Sequence, residues 1–212
     1  MIKLICFDMD GVIFKDINFW MELHKIFETL EEGEILTEKY LHTDYDKLVE
    51  EVVNKLWKGR DSRAYYRLVE SLEYLPGVKE TFEEIKKNDV ITAIISGSSI
   101  DVARRAQRDL GIDHIYANEL IIKDGKISGE FIWPIGAGKE KKAEIVKHLT
   151  SDLNILLRDV VYIGDSDMDI EAFKIVGKSI AFNSSSDNLK KVADIVVESD
   201  DLRKIISYLF NS

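Results

Sequence analysis

Five aspartates stand in two short groups. Asp8 and Asp10 lie in ICFDMDGVIF (5–14), and Asp165, Asp167 and Asp169 lie in GDSDMD (164–169). Each group follows a run of apolar residues. Carboxylates this close repel one another, and burying any of them is costly unless something compensates. Either they face water in turns, as acids after strands commonly do, or a cation belongs among them. The neighbourhood offers oxygen ligands and no histidine, and Cys6 reads as a core residue. Such a donor set suits Mg²⁺ rather than Zn²⁺. Two further polar stretches could handle an anion. One is ISGSS (95–99), the other the lysine-rich GKEKKAE (138–144). Taken singly, the first reads as a helix cap and the second as a solvated face.

These residues need elements to bring them together. Residues 2–7, 90–96 and 159–165 are apolar runs without alternation, the pattern of strands buried on both faces. The acids, Ser96 and Asp165 close these runs. From residue 16 to residue 74 no strand signal occurs. Trp20, Leu23, Phe27 and Leu30 recur at helical spacing, then Tyr40, Leu48, Val52 and Leu56, then Tyr65, Tyr66, Val69 and Leu72. After Pro76 helices and strands alternate to the end, with a hairpin expected at Asp124–Gly125 and a helix stopped by Gly111. The pattern predicts an α/β, doubly wound parallel sheet of Rossmann-like form. The predicted division is a core of 1–15 and 75–212, with a small helical domain of 16–74 inserted after the first strand. Ligands of such sheets bind beyond the carboxyl ends of the strands, which is where the polar residues gather.

Composition narrows the possibilities. The chain has 212 residues, 45% hydrophobic and 32% charged, with a net charge of -10. An acidic chain lacks the basic face that nucleic-acid binding requires. One cysteine forbids an intrachain disulfide. No run approaches the roughly 20 apolar residues of a membrane span, and the N-terminal stretch reads as a strand, not a secretion signal. A cytoplasmic protein, monomeric or homodimeric, is the expectation.

The order of these pieces resembles the haloacid dehalogenase (HAD) superfamily of phosphohydrolases. DMDGV (8–12) looks like its first motif, ISGS (95–98) its second, a lysine of KEKKAE its third and GDSDMD (164–169) its fourth. From Pro76 onward the chain looks most like the phosphoserine phosphatases of that superfamily, and the helical insert corresponds to their cap. The resemblance implies a Mg²⁺-dependent phosphatase of a small phosphorylated metabolite, phosphoserine being the first candidate. It implies Asp8 as the nucleophile that becomes an aspartyl-phosphate, and Asp10 as general acid and then base. Mg²⁺ would be held by Asp8, the backbone carbonyl of Asp10, and Asp165. Ser96 and the Gly97 amide would bind the phosphoryl group at a helix N-terminus. Lys142, with Lys139 and then Lys141 as rivals, would neutralise charge, and Asp169 would orient what surrounds it.

The chain departs from that pattern in places. Gly11 and Val12 resemble the sugar-phosphatase and mutase branches. Ile17, beside Asp16, stands where the family has a substrate-reading glutamate. Ser-Gly-Ser-Ser replaces Ser-Gly-Gly followed by an aromatic, and Met168 replaces an asparagine. Arg60, Arg63 and Arg67 are candidates to greet a substrate carboxylate. The apolar start of the insert, Ile13 to Trp20, reads as cap packing, with a less polar leaving group as the other reading. Rival functions are a phosphomutase or sugar-phosphate phosphatase of the same fold, and a non-hydrolytic phospho-aspartate signalling module.

Overall fold

A computed structural model of the chain describes residues 1–15, 17–136 and 140–210. Its strands are β1 (Leu4–Phe7), β2 (Ile91–Ser99), β3 (His114–Lys123), β4 (Lys126–Ile132), β5 (Val160–Gly164), β6 (Lys178–Phe182) and β7 (Ile195–Val197). They form one sheet in the order β4-β3-β2-β1-β5-β6-β7. All neighbours are parallel except β3 and β4, which form an antiparallel hairpin. Strand order reverses at β1, which lies between β2 and β5. A crevice therefore opens beyond the ends of these three strands.

The helices are α1 (Phe19–Ile26), α2 (Leu30–Tyr40), α3 (Tyr45–Glu51), α4 (Ser62–Ser71), α5 (Val78–Lys87), α6 (Ile100–Leu110), α7 (Glu140–Asp152), α8 (Ile170–Phe173), α9 (Asp187–Val192) and α10 (Ile206–Phe210). Side chains of a strand alternate between faces, so the central strands feed two cores. Ile5, Phe7, Ile94 and Ile163 pack with Phe82 and Ile85 of α5 and Val102 of α6. Leu4, Cys6, Ile95 and Tyr162 pack on the other face with Val146 and Leu149 of α7 and Phe173 of α8. Both faces are covered, which explains the unbroken apolar runs. None of the described helices is long and apolar enough to cross a membrane.

The chain leaves the sheet at Phe14 and returns at Tyr74. These two form an isolated antiparallel bridge, with rings stacked 4.5 Å apart. The Lys15 amide donates to the Glu73 carbonyl and the Leu75 amide to that of Ile13, each at 2.9 Å. Between these crossings lie α1–α4 and a π-helical turn, Val52–Trp57. The helical spacing there merged elements that the structure separates. Glu28 takes a left-handed backbone (φ 55°) that ends α1 before α2, and Asp44 caps α3 by accepting from the Lys47 amide.

Two other expectations need correction. The strand that enters the expected hairpin begins earlier than the Asp124–Gly125 turn motif indicates: residues 114–118 pair in parallel with β2 before the hairpin. The hairpin turn itself is as expected, with φ positive at Asp124 (51°) and Gly125 (71°), the pattern that matches strand twist. More consequentially, β2 runs on to Ser99, and α6 begins only at Ile100. The Ser99 side chain caps that helix, accepting from the Asp101 amide. Ser96 and Gly97 therefore do not sit at a helix N-terminus.

Candidate active site

Asp8, Met9 and Asp10 follow directly on β1, and Met9 turns away from the acids on either side of it. Met9 is buried in the core, and Asp8 and Asp10 both line a cavity of about 400 Å³. After Asp10 the chain turns sharply. The amides of Ile13 and Phe14 donate to the Met9 carbonyl at 2.8 and 3.0 Å. Gly11 carries the turn at φ +76°, and a Cβ there would overlap the Asp165 carboxylate. The first loop and the end of β5 are thus pressed together, and only glycine meets both demands.

Asp8 is held at both oxygens. Its Oδ1 accepts from the Met9 amide at 2.6 Å and its Oδ2 from Lys142 Nζ at 2.6 Å. Lys142 also donates to Asp169 Oδ1 at 2.7 Å. The lysine is 3% exposed and Asp169 fully buried. Burial works against the Lys142 ammonium, but the two carboxylates outweigh it and lift its pKa above the ordinary lysine value. Burial pushes the Asp8 carboxyl upward, Lys142 pulls it back and Asp169 adds to the rise. One cation thus faces two carboxylates in a site almost closed to water.

Asp169 has both oxygens engaged. Oδ1 accepts from Lys142 and from the Tyr162 hydroxyl at 3.2 Å. Oδ2 accepts from the amides of Asp165 and Ser166, each at 3.2 Å, and from the Ser166 hydroxyl. Gly164 allows this approach, since a Cβ there would overlap the Asp169 carboxylate. Carboxylate oxygens of Asp8, Asp165 and Asp169 come within 4.8 Å of one another. Asp169 is committed to lysine and backbone, and of the three only Asp8 and Asp165 line the cavity. The Asp10 side chain is not part of that trio, and the chain after Asp10 enters the Gly11 turn that abuts the Asp165 carboxylate. An all-oxygen donor set against the Gly11 turn fits a hard divalent cation.

The second arm of the site is a bulge in β2. Ile95 pairs with Tyr116 and Ser99 with Asn118, so β2 carries four steps against two in β3. Bulges re-aim side chains near active sites. Here Ser96, Gly97 and Ser98 all reach the cavity. The Gly97 carbonyl is pinned from two sides, by Asn118 Nδ2 at 2.8 Å and by Trp20 Nε1 at 2.9 Å. The Ser98 hydroxyl is buried and, among the described residues, has no hydrogen-bond partner. Buried polar groups are normally paired, so this one points to something that binds in the cavity.

The structure therefore gathers Asp8, Asp10, Ser96, Gly97, Lys142 and Asp165 around one space, with Asp169 behind Lys142. Lys141 is exposed and pairs with Glu144. Lys139 and Asp16 lie outside the described residues. None of Arg60, Arg63 and Arg67 reaches the cavity wall, whereas Ile17 does. Sequence reading did not single out Ser98, Tyr162, Asn118 or the Trp20–Gly97 link. The doubled serine of SGSS was a signal for the first. The others depend on pairings up to 77 residues apart in sequence, which no local pattern announces.

The chain matches the model of the haloacid dehalogenase-like hydrolases over residues 5–174. It is 30% identical to the phosphoserine phosphatase of Methanocaldococcus jannaschii, across 98% of this chain and 97% of that one. Among solved structures it is similar to a substrate-bound phosphoserine phosphatase complex, with 28% identity, a TM-score of 0.82 and 98% of both chains covered. It is equally similar to a phospho-aspartyl intermediate analogue of phosphoserine phosphatase, with 29% identity, a TM-score of 0.81 and the same coverage. The strand-end acids, the buried lysine and the full-length match lead to one conclusion: the chain belongs to the haloacid dehalogenase-like hydrolases.

Proposed function

We propose that the protein is a Mg²⁺-dependent phosphatase that hydrolyses a small phosphomonoester through an aspartyl-phosphate. One observation carries this reading: Asp8 is fixed at both oxygens, by the Met9 amide and by Lys142, on the wall of a cavity shared with Ser96, Gly97 and Asp165. Asp8 and Asp165, with the Asp10 carbonyl, would hold the ion, which neutralises the charge of nucleophile and phosphate as they meet. The helices of residues 16–74 act as a cap over the core of 1–15 and 75–212.

The chemistry follows from the placement of these groups. A carboxylate is ionised and needs no base to become a nucleophile. One Asp8 oxygen attacks phosphorus in line with the ester oxygen. The phosphorus–ester bond breaks, and the departing oxygen takes a proton from Asp10. The alcohol leaves. Asp10, now a base, takes a proton from water, whose oxygen attacks the acyl phosphate. Phosphate is released and the Asp8 carboxylate is restored. Ser96, the Gly97 amide and Lys142 hold the phosphoryl oxygens, so that the group is positioned and its charge spread. Asp169 keeps the Lys142 ammonium aimed at Asp8.

Phosphate release from a panel of small phosphomonoesters, O-phosphoserine among them, tests the reading with Mg²⁺ and with EDTA. Release that depends on the metal is expected. Transfer of phosphate within a substrate, with none released, would favour the phosphomutase. Stable phosphorylation of Asp8 without turnover would favour a signalling module.

A further inference from the structure

A second cavity, of about 220 Å³, adjoins the catalytic one inside the helical segment. Asn18, Trp20, Leu41 and Tyr45 line both and form the wall the two spaces share. The catalytic end is ionic. The second cavity has no aspartate, glutamate, lysine or arginine among the described residues on its wall. Its one histidine, His24, is held toward the neutral form by burial. The arginines of the helical segment are turned elsewhere. Arg60 donates to the Leu56 carbonyl and lies over the Phe27 ring, and Arg63 is held by Asp61.

The walls are aromatic to an unusual degree. All three tryptophans of the chain meet here, with Trp20 rings 4.5 Å from Trp133 and 5.9 Å from Trp57. Trp57 carries a buried indole N–H that has no acceptor among the described residues. Buried donors of this kind are normally paired.

We propose that the alcohol portion of the substrate is an uncharged, apolar or aromatic group that passes between Trp20, Leu41 and Tyr45 into this chamber. The proposal rests on the phosphatase reading for the phosphate end and adds the class of leaving group. A zwitterionic leaving group such as serine would bring an ammonium and a carboxylate against walls with no counter-charge, and unpaired charges are costly to bury. An aromatic ring loses nothing there and stacks on the indoles. An acceptor atom on its far side would satisfy Trp57.

Benzyl phosphate and O-phosphoserine are both alkyl esters, so comparing them isolates recognition from intrinsic reactivity. The kcat/KM for benzyl phosphate is expected to exceed that for phosphoserine by about tenfold or more, a difference worth ~1.4 kcal/mol. Leu41→Lys, which places a charge where the cavities meet, should shrink that ratio. Val53→Phe, which fills the chamber without adding charge, should shrink it too. Phosphoserine turned over as well as benzyl phosphate, or better, would overturn the proposal and leave the phosphatase reading standing. If no ester is hydrolysed, the phosphatase reading fails, and calorimetry with phosphonates then decides the leaving-group class by itself. Benzylphosphonate binding about tenfold more tightly than methylphosphonate would support it, and equal affinity would overturn it.

Discussion

The two sides of the cavity are made of opposite materials. On the strand side, Asp8, Lys142 and Asp169 form a buried ionic chain with contacts of 2.6 and 2.7 Å. On the helical side, Trp20, Trp57, Trp133 and Phe19 form an aromatic cluster, tied to the strand side where Trp20 Nε1 donates to the Gly97 carbonyl. The strand side is directional: each oxygen of Asp169 has named donors, so a small change leaves a buried charge exposed to a low dielectric. The helical side is held by area and shape, and such packing tolerates volume-conserving change. On the proposed reading, chemistry common to phosphate esters falls to the first side and choice among esters to the second.

The sharpest way to break this contrast is Asp8→Asn. Removing the nucleophile should cut turnover by at least about 10⁴-fold while the fold persists, since the amide still fills the space and one buried negative charge is gone. Turnover retained by a folded Asp8→Asn variant would refute the assignment. Lys142→Met should also abolish activity, and it should damage the fold. It leaves Asp8 and Asp169 buried without their cation, a loss of about 3–5 kcal/mol when one partner of a buried pair is removed. Denaturant melts of the two variants, compared at equal pH, separate them: one catalytic without structural loss, the other both.

The ionic side was largely legible in the sequence because strands buried on both faces are unbroken apolar runs, and the acids close them. The choice of Lys142 rests on the resemblance of its K-A-E-I-V stretch to the family's motif, and in the structure Lys142 is buried beside Ala143, Val146 and Leu149 on α7. The bulge was not legible. Ser-Gly-Ser-Ser reads as a helix cap, and only pairing with residues 114–118 turns it into strand. Nor were the breaks in the helical side, where the left-handed residue that ends α1 is Glu28 and not a glycine. The tryptophan cluster joins residues 20, 57 and 133 by tertiary contact alone. Charge at a strand end is a local signal, whereas the shape of an aromatic cluster is not.

Ser98 and Trp20 sharpen the boundary between the two sides. Ser98→Ala removes a buried hydroxyl that has no partner in the described structure, so stability should hold or rise slightly, by up to about 1 kcal/mol. If the hydroxyl meets a substrate oxygen, kcat/KM should fall by about tenfold, one hydrogen bond's worth. A fall in stability with unchanged kinetics would make Ser98 structural. Trp20→Phe keeps an aromatic side chain but deletes the donor to Gly97 and part of the ring that packs against Trp57 and Trp133. A loss of about 1 kcal/mol is expected, with KM rising a few-fold as the β2 bulge loosens.

The smallest effect should come from His24, the one histidine of the apolar side. It is buried beside Trp57, with ring centroids 4.7 Å apart, and its Nδ1 lies 2.8 Å from Thr29 Oγ1. Burial, only partly opposed by Thr29 and Glu32, depresses its pKa below the ordinary 6.5. The sign follows from linkage. Below 6.5 the unfolded chain takes up a proton that the folded chain still refuses, so stability falls as pH drops through that value and levels off once the folded histidine is also protonated. Above it both states are neutral and His24 adds no slope. The slope from one such group is at most about 1.4 kcal/mol per pH unit. His24→Gln, which cannot titrate, should flatten the melting temperature between pH 7 and pH 5 relative to the parent. Equal slopes in the two proteins would show that His24 does not carry the acid sensitivity.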